Sequence, residues 1–217
     1  MKPSLIITND GSHSLRVEEL NETYHSIHGA LQEARHVFLK EGFYQTEEEV
    51  SILEIGFGTG LNAFITMLEA HKTVRKVNYT GIEKFPVSTD MIQALNYGQL
   101  LGEPEWFDEL HLLNWEMAVP VSDYFTLTKL QGDIATIDFA PAFHIIYFDA
   151  FAPDKQPEMW SKKVFAKMHE ALLPGGILVT YCAKGQVKRD LKEVGFQVES
   201  VPGPPGKREM IRARKNG

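Results

Sequence analysis

Short apolar runs alternate with stretches of helical spacing along most of this chain. Val50 to Ile55, Val77 to Glu83, Phe125 to Leu130, Phe143 to Phe148 and Ile177 to Tyr181 are rich in β-branched, aliphatic and aromatic residues, which predicts strands buried on both faces. Between them, Leu61 to Ala70, Ser88 to Leu100, Pro157 to Leu172 and Gln186 to Val194 predict helices. The third is stopped by Pro174-Gly-Gly176 and the last by Gly195. Phe196 to Val201 and Glu209 to Arg214 add two strands around the turn Pro202-Gly-Pro-Pro-Gly206, so one member of the sheet runs antiparallel. The expectation is an α/β fold, a doubly wound, mostly parallel seven-stranded sheet. Upstream, Leu5 to Thr8 and Leu15 to Val17 flank the hairpin signal Asn9-Asp10-Gly11-Ser12. Ile27, Ala30, Leu31, Ala34, Val37 and Phe38 then predict a helix over 23–39. Leu101 to Asp123, with Trp106, Phe107 and Trp115, reads as irregular short helices. Residues 1–45 are thus expected as a hairpin-and-helix extension over the site mouth. Residues 46–217 form the α/β domain, and the two make one compact unit.

The first of these strands runs directly into Gly56-Phe-Gly-Thr-Gly60. Glycines let the backbone approach a ligand closely, and the helix beginning at Leu61 aims its unpaired N–H groups at the turn. Glu54, an acid within an apolar strand end, suits a cationic or amine-bearing cofactor such as S-adenosylmethionine and repels a pyrophosphate. The spacing also departs from the G-x-G-x-x-G of dinucleotide turns, because position 61 is Leu. Glu83 ends the second strand, where a carboxylate can accept both ribose hydroxyls of an adenosine, whether of that cofactor or of NAD. Asp133, after Gly132, can accept from an adenine amino group, and Asp149 ends the fourth strand. Ligands in such sheets sit at the carboxyl ends of the strands. Four acids at consecutive tips would be costly in a core that served stability alone.

With 217 residues and 43% hydrophobic content, the chain can bury a sizeable core. No apolar run approaches the roughly 18 residues of a membrane span, and the N-terminus has no adequate signal-peptide core. Cys182 is the single cysteine, which excludes an intramolecular disulfide and a thiolate zinc cluster, so a cytoplasmic protein is expected. No metal is expected either, since His-x-His and His-Glu-x-x-His patterns are missing and His25 and His28 read as surface or lid residues. The net charge of −7 argues against binding nucleic acid over the whole surface. From Tyr181 onward, however, nine Lys or Arg face four Asp or Glu. Lys184, Lys188, Arg189, Lys192, Lys207, Arg208, Arg212 and Arg214 form a candidate phosphate track in that stretch.

Gly56-Phe-Gly-Thr-Gly-Leu-Asn62, Glu83-Lys-Phe-Pro86, Gly132-Asp-Ile134, Asp149-Ala-Phe-Ala-Pro153 and Pro157-Glu-Met-Trp160 together resemble one family. It is the methyltransferase domain of the bacterial bifunctional tRNA 5-methylaminomethyl-2-thiouridine biosynthesis proteins, MnmC type. The resemblance spans about Asn21 to Arg214, and the chain looks like the stand-alone form without the FAD oxidase half. It implies a Rossmann-like class I S-adenosylmethionine-dependent methyltransferase that uses no FAD. Its acceptor would be a wobble 5-aminomethyl-uridine, often 2-thiolated, in a tRNA anticodon arm gripped by the basic C-terminal third. By the same resemblance, Glu54, Gly56, Phe57, Gly58, Gly60 and Asn62 serve the methionine and sulfonium end. Glu83, with Lys84 and Phe85, serves the ribose, Asp133 and Ile134 the adenine, and Asp149 the target amine. Tyr24, Phe151, Lys184, Lys207 and Arg208 fall on the base and phosphate side. An alkylammonium has no lone pair, and a carboxylate such as Asp149 can take its proton while holding the amine. Three other readings stay open at this point: methylation of a small amine or other metabolite, an NAD-linked oxidoreductase, and an inactive RNA-binding module.

Overall fold

The computed structural model describes residues 3–46 and 49–217. A small antiparallel sheet opens the chain, with β1 (Ser4–Ile7), β2 (His13–Val17) and β3 (Glu22–Thr23) in sequence order. The predicted hairpin turn is present, and its polar side chains also cap a helix. Ala30 N–H donates to Thr8 Oγ1 at 3.3 Å and to Ser12 Oγ at 3.2 Å, and Gln32 N–H donates to Asp10 Oδ2 at 3.0 Å. A helix begins where its free amides find acceptors. The helix expected over 23–39 therefore starts only at α1 (Ala30–Ala34) and continues as a π-type segment over Arg35–Lys40. His25 and His28 precede it, in the chain leading away from β3.

The main sheet has eight strands: β4 (Val50–Ile55), β5 (Val77–Glu83), β6 (Ala118–Ser122), β7 (Phe125–Gln131), β8 (Phe143–Phe148), β9 (Leu172–Thr180), β10 (Phe196–Pro202) and β11 (Glu209–Lys215). Their order is β10-β11-β9-β8-β4-β5-β7-β6. β4 pairs in parallel with β5 and β8, β5 with β7, and β8 with β9, while β11 runs antiparallel to both neighbours. Seven strands with one reversed member stand as expected. The eighth, β6, lies in the stretch expected to be irregular helix. It pairs antiparallel with β7 at the edge, with a register irregularity at Pro120–Ser122. Proline has no N–H for a ladder, so an outer strand is where it fits.

Helices α2 (Leu61–Thr73), α3 (Thr89–Gln93), α4 (Tyr97–Leu101), α5 (Pro104–Leu112), α6 (Lys162–Ala171) and α7 (Gly185–Glu193) complete the layers. Alternate residues of the central strands enter two different cores. Ile52, Ile145 and Tyr147 join the cluster with α2 residues Phe64 and Met67, while Leu53, Ile146 and Phe148 join Phe165 of α6 and Leu191 of α7. This explains the continuous apolar runs, since each strand is covered on both faces. α6 ends at Ala171, and β9 begins at once and passes through Pro174-Gly-Gly176, which had been expected to separate helix from strand. Among the described residues, no helix is long and apolar enough to cross a membrane.

One buried charge braces the sheet. Lys129 of β7 is 1% exposed, and its ammonium donates to the carbonyls of Leu110 (3.1 Å) and His111 (2.9 Å) at the end of α5. Burial pulls its pKa down to about 8. Lys129→Met is expected to leave those carbonyls without this donor and to cost about 2 kcal/mol in urea unfolding at pH 7. An unchanged midpoint would contradict the bracing role.

Candidate active site

Strand β4 delivers the chain into the glycine turn, and the turn is held by the neighbouring strand. Gly56 and Phe57 N–H both donate to the Ile82 carbonyl, at 3.0 and 2.9 Å. Gly56 has φ +90°, and a Cβ there would stand 2.7 Å from the Asp149 carbonyl oxygen. The turn thus runs against the tip of β8 with no space for a side chain. Beneath it opens a cavity of ≈ 770 Å³, within the range of cofactor sites.

Gly56, Phe57, Gly58, Glu83, Lys84, Phe85, Asp133, Ile134 and Asp149 all line this cavity. Glu83 Oε2 accepts from Gly58 N–H at 3.0 Å and its Oε1 from Phe85 N–H at 2.8 Å, which orients the carboxylate and leaves further lone pairs for a ligand. Burial pushes its pKa up. The Lys84 ammonium, 2.9 Å from Asp133 Oδ2, and the Ala135 amide hold Asp133 below the usual carboxylate range. Close-approach glycines, an oriented carboxylate at the second strand tip and a buried Ile134 suit an adenosine carrying a charged tail. The cradle fits S-adenosylmethionine.

Glu54, Gly60 and Asn62 lie behind this wall rather than in it. Glu54 is fully buried, accepts from Asn62 Nδ2 at 2.9 Å through Oε1, and has no hydrogen-bond partner at Oε2. Burial raises its pKa well above the ordinary value, with the charge of Asp149 adding to the rise. The residue's place behind the wall, absent from the cavity lining, keeps its carboxyl off the cavity surface. Asn62 Nδ2 also donates to Asp149 Oδ2 at 2.8 Å. Glu54 thus fixes Asn62, and Asn62 fixes Asp149. Burial, with the nearby charge of Glu33, raises Asp149 to about 7, against the opposing Asn62 hydrogen bond and Lys207 charge.

A second cavity of ≈ 420 Å³ adjoins the first and shares Tyr24, His25, Asp149, Ala150 and Phe151 with it. Its wall carries three acids (Glu22, Glu33 and Asp149), the aromatics Tyr24, Phe151 and Tyr181, and the cations Arg16 and Lys207. Tyr24 and Phe151 meet edge to face at 5.0 Å. Tyr24 also lies over the glycine turn, 3.1 Å from where a Gly58 Cβ would stand. Beside it, His25 Nε2 pairs with Thr59 Oγ1 at 2.8 Å, and burial pulls the imidazole down to about 4. The N-terminal segment is thereby pinned to the glycine turn. Sequence reasoning missed His25 as a contact, and also Glu22, Glu33 and Tyr181, because no local pattern marks them.

The basic tail is largely paired. Lys184 bonds Asp154, Lys188 bonds Glu209 at 2.8 Å, Lys207 bonds Glu33 at 2.7 Å, and Arg212 bonds Glu41 and Glu199. Arg214 donates to the Gly175 carbonyl, and Arg189 donates to Gln186. Lys192 and Arg208 are exposed and make no ion pair among the described residues. Cys182 is buried, and burial raises its thiol pKa, as suits a packing residue. The described residues contain no group of three or more His, Cys, Asp or Glu arranged to hold a metal.

Comparison with known proteins agrees with this geometry. Residues 108–216 match the family described as S-adenosyl-L-methionine-dependent methyltransferase. The chain is 34% identical over 233 residues to a tRNA 5-methylaminomethyl-2-thiouridine biosynthesis bifunctional protein MnmC from Cupriavidus metallidurans, covering 96% of this chain and 33% of that protein. It is 32% identical over 238 residues to the protein of the same name from Marinomonas sp., covering 99% and 34%. The chain thus spans about a third of the length of these curated relatives. Among solved structures, it superposes on MNMC2 from Aquifex aeolicus with a TM-score of 0.75 and 23% identity, covering 97% of this chain and 69% of that one. It superposes on spermidine synthase from Thermotoga maritima with a TM-score of 0.56 and 12% identity, covering 98% and 73%. These two show a shared fold.

Proposed function

The chain belongs to the S-adenosyl-L-methionine-dependent methyltransferases, and from that premise we propose that it methylates the amine of 5-aminomethyl-uridine, 2-thiolated or not, at the tRNA wobble position. The product is the 5-methylaminomethyl nucleoside, made in the cytoplasm. The observation that carries this reading is the position of Asp149, which lines both the glycine-turn cavity and the acidic, aromatic cavity beside it. Three acids among aromatic rings suit a base that bears an ammonium. The names of the curated relatives support the same acceptor.

When bound, S-adenosylmethionine supplies an electrophilic methyl group on a sulfonium centre. Gly56 to Thr59 would hold its methionine end, Glu83 the ribose, and Asp133 with Ile134 the adenine, flanked by Lys84 and Phe85. Asp149 accepts the proton of the acceptor ammonium, which frees the nitrogen lone pair. Asn62 holds Oδ2 and leaves Oδ1 for that amine. Tyr24 and Phe151 wall the passage between the cavities and keep water from it. A direct transfer of this kind calls on neither metal nor flavin. Residues 1–45 act as a cover on the 46–217 methyltransferase unit. The exposed Arg208 and Lys192 take phosphates of the anticodon arm, joined by Lys184 where it can exchange its acid for a phosphate.

Labelled methyl transfer into tRNA from cells lacking this protein tests the reading, with mass spectrometry of the nucleosides. One methyl gained on the aminomethyl-uridine is the expected result. Transfer to free amines but never to tRNA overturns it in favour of a small-molecule amine methyltransferase, the reading favoured by the pairing of most tail cations.

A further inference from the structure

Lys207 is the unexpected occupant of the smaller cavity. Its ammonium lies 2.7 Å from Glu33 Oε1 and 4.0 Å from the centre of the Tyr181 ring. Both partners are fixed in advance. Ser26 N–H donates to the other oxygen of Glu33 at 2.8 Å, and the Tyr181 hydroxyl donates to the Ala150 carbonyl at 2.8 Å. Glu33 is 8% exposed, so an aromatic face and a nearly buried carboxylate form a cage for one ammonium group. A lysine head is a primary ammonium on a methylene, the same chemical group that an aminomethyl-uracil carries.

We infer that the Glu33–Tyr181 cage is the docking subsite that receives the acceptor's primary alkylammonium before the amine passes to Asp149 in the same cavity, and that Lys207 fills it as an internal stand-in until the acceptor displaces it. The inference rests on the aminomethyl acceptor proposed above. Charge balance supports it. The other cation of this cavity, Arg16, is already engaged by Glu18 at 3.0 Å and Asn21 at 2.9 Å. Departure of Lys207 alone would leave Glu22, Glu33 and Asp149 without its compensation, and an incoming ammonium restores it. Lysine reaches its new position by rotation about a flexible four-carbon stem. Once released beside the exposed Arg208, its charge is free for a phosphate. Entry of the base and grip on the backbone are thereby coupled.

The test uses the full chain saturated with S-adenosylhomocysteine, with 5-aminomethyluridine as the probe and neutral 5-hydroxymethyluridine as comparator. A subsite that is open a tenth of the time loses about tenfold in apparent affinity. Lys207→Gln is therefore expected to bind the amine nucleoside about tenfold more tightly by calorimetry, with no gain for the hydroxymethyl analogue. The same variant should bind tRNA more weakly, an opposite sign that simple loosening of the fold does not produce. Glu33→Gln should lose the amine nucleoside. Unchanged or weaker binding in Lys207→Gln, an equal gain for both nucleosides, or no binding to either protein would overturn the cage. The readout needs no turnover, so a gain in Lys207→Gln stands even if tRNA proves not to be the acceptor. Conversely, tRNA methylation without that gain removes the cage alone.

Discussion

Asp149→Asn is expected to lower kcat/KM for methyl transfer by about 10²–10⁴-fold, the range of a lost general base, while S-adenosylhomocysteine still binds within a few-fold of wild type. The asparagine keeps the shape and can still accept from Asn62, but it takes up no proton. Wild-type kcat/KM should fall as pH drops through about 7, where burial has moved the Asp149 carboxyl. The proposed base acts as the carboxylate, so protonation should remove activity on the acid side, and the variant's residual rate should lack that limb. Activity in Asp149→Asn close to wild type would end the assignment.

The same substitution should stabilise the protein in one pH window. The folded-state pKa of Asp149 lies above the ordinary 3.8, so the folded protein holds the proton more tightly than the unfolded chain. Ionising the group costs stability progressively as pH rises from about 4 to about 7. At pH 8 the wild type bears the whole penalty, at about 1.4 kcal/mol per pKa unit. Asp149 lines two cavities that open to the surface, and the screening this allows reduces the net effect to the order of 2 kcal/mol. Asp149→Asn should thus melt above wild type at pH 8 and level with it at pH 4.

Gly56→Ala should weaken cofactor binding at least tenfold and destabilise the fold by about 2–4 kcal/mol. Two costs add here: φ of +90° disfavours any L side chain, and the new Cβ would stand 2.7 Å from the backbone oxygen of Asp149. Relief requires the tips of β4 and β8 to part, which opens the floor of the cradle. Gly102→Ala separates the two costs, because its φ is +78° and nothing lies within 4 Å of the added atom. That control should lose only about 1 kcal/mol and keep its cofactor affinity. Equal behaviour of the two variants would show that crowding at the turn is unimportant.

Much of the larger cavity's lining was readable along the chain because it is built from contiguous segments. A strand, a glycine turn and a helix follow one another from Val50 to Thr73. The parallel order then brings the tips of β5, β7 and β8 to that turn, so Glu83, Asp133 and Asp149 reach one cavity. Glu54 shows where such reading stops. Its place at a strand end was evident, but the upward shift of its pKa follows from complete burial, which no local pattern encodes.

The smaller cavity was only partly legible for the same reason. Its wall joins Glu22, Glu33 and Tyr181, which no local pattern marks, to Tyr24, Phe151 and Lys207 from distant parts of the chain. α1 begins at Ala30 because side chains of a distant hairpin accept its first amides. The basic tail reads as free positive charge in one dimension, yet Glu33, Glu41, Asp154 and Glu199 claim most of it in three. Residue order by itself determined the alternation of strands and helices, the glycine turn and the acids at the strand ends, since these depend on periodicity and neighbours in sequence. Only the tertiary structure decided which acids are buried, which cations are paired and where the second cavity lies, because desolvation and ion pairing depend on groups that are distant along the chain and close in space.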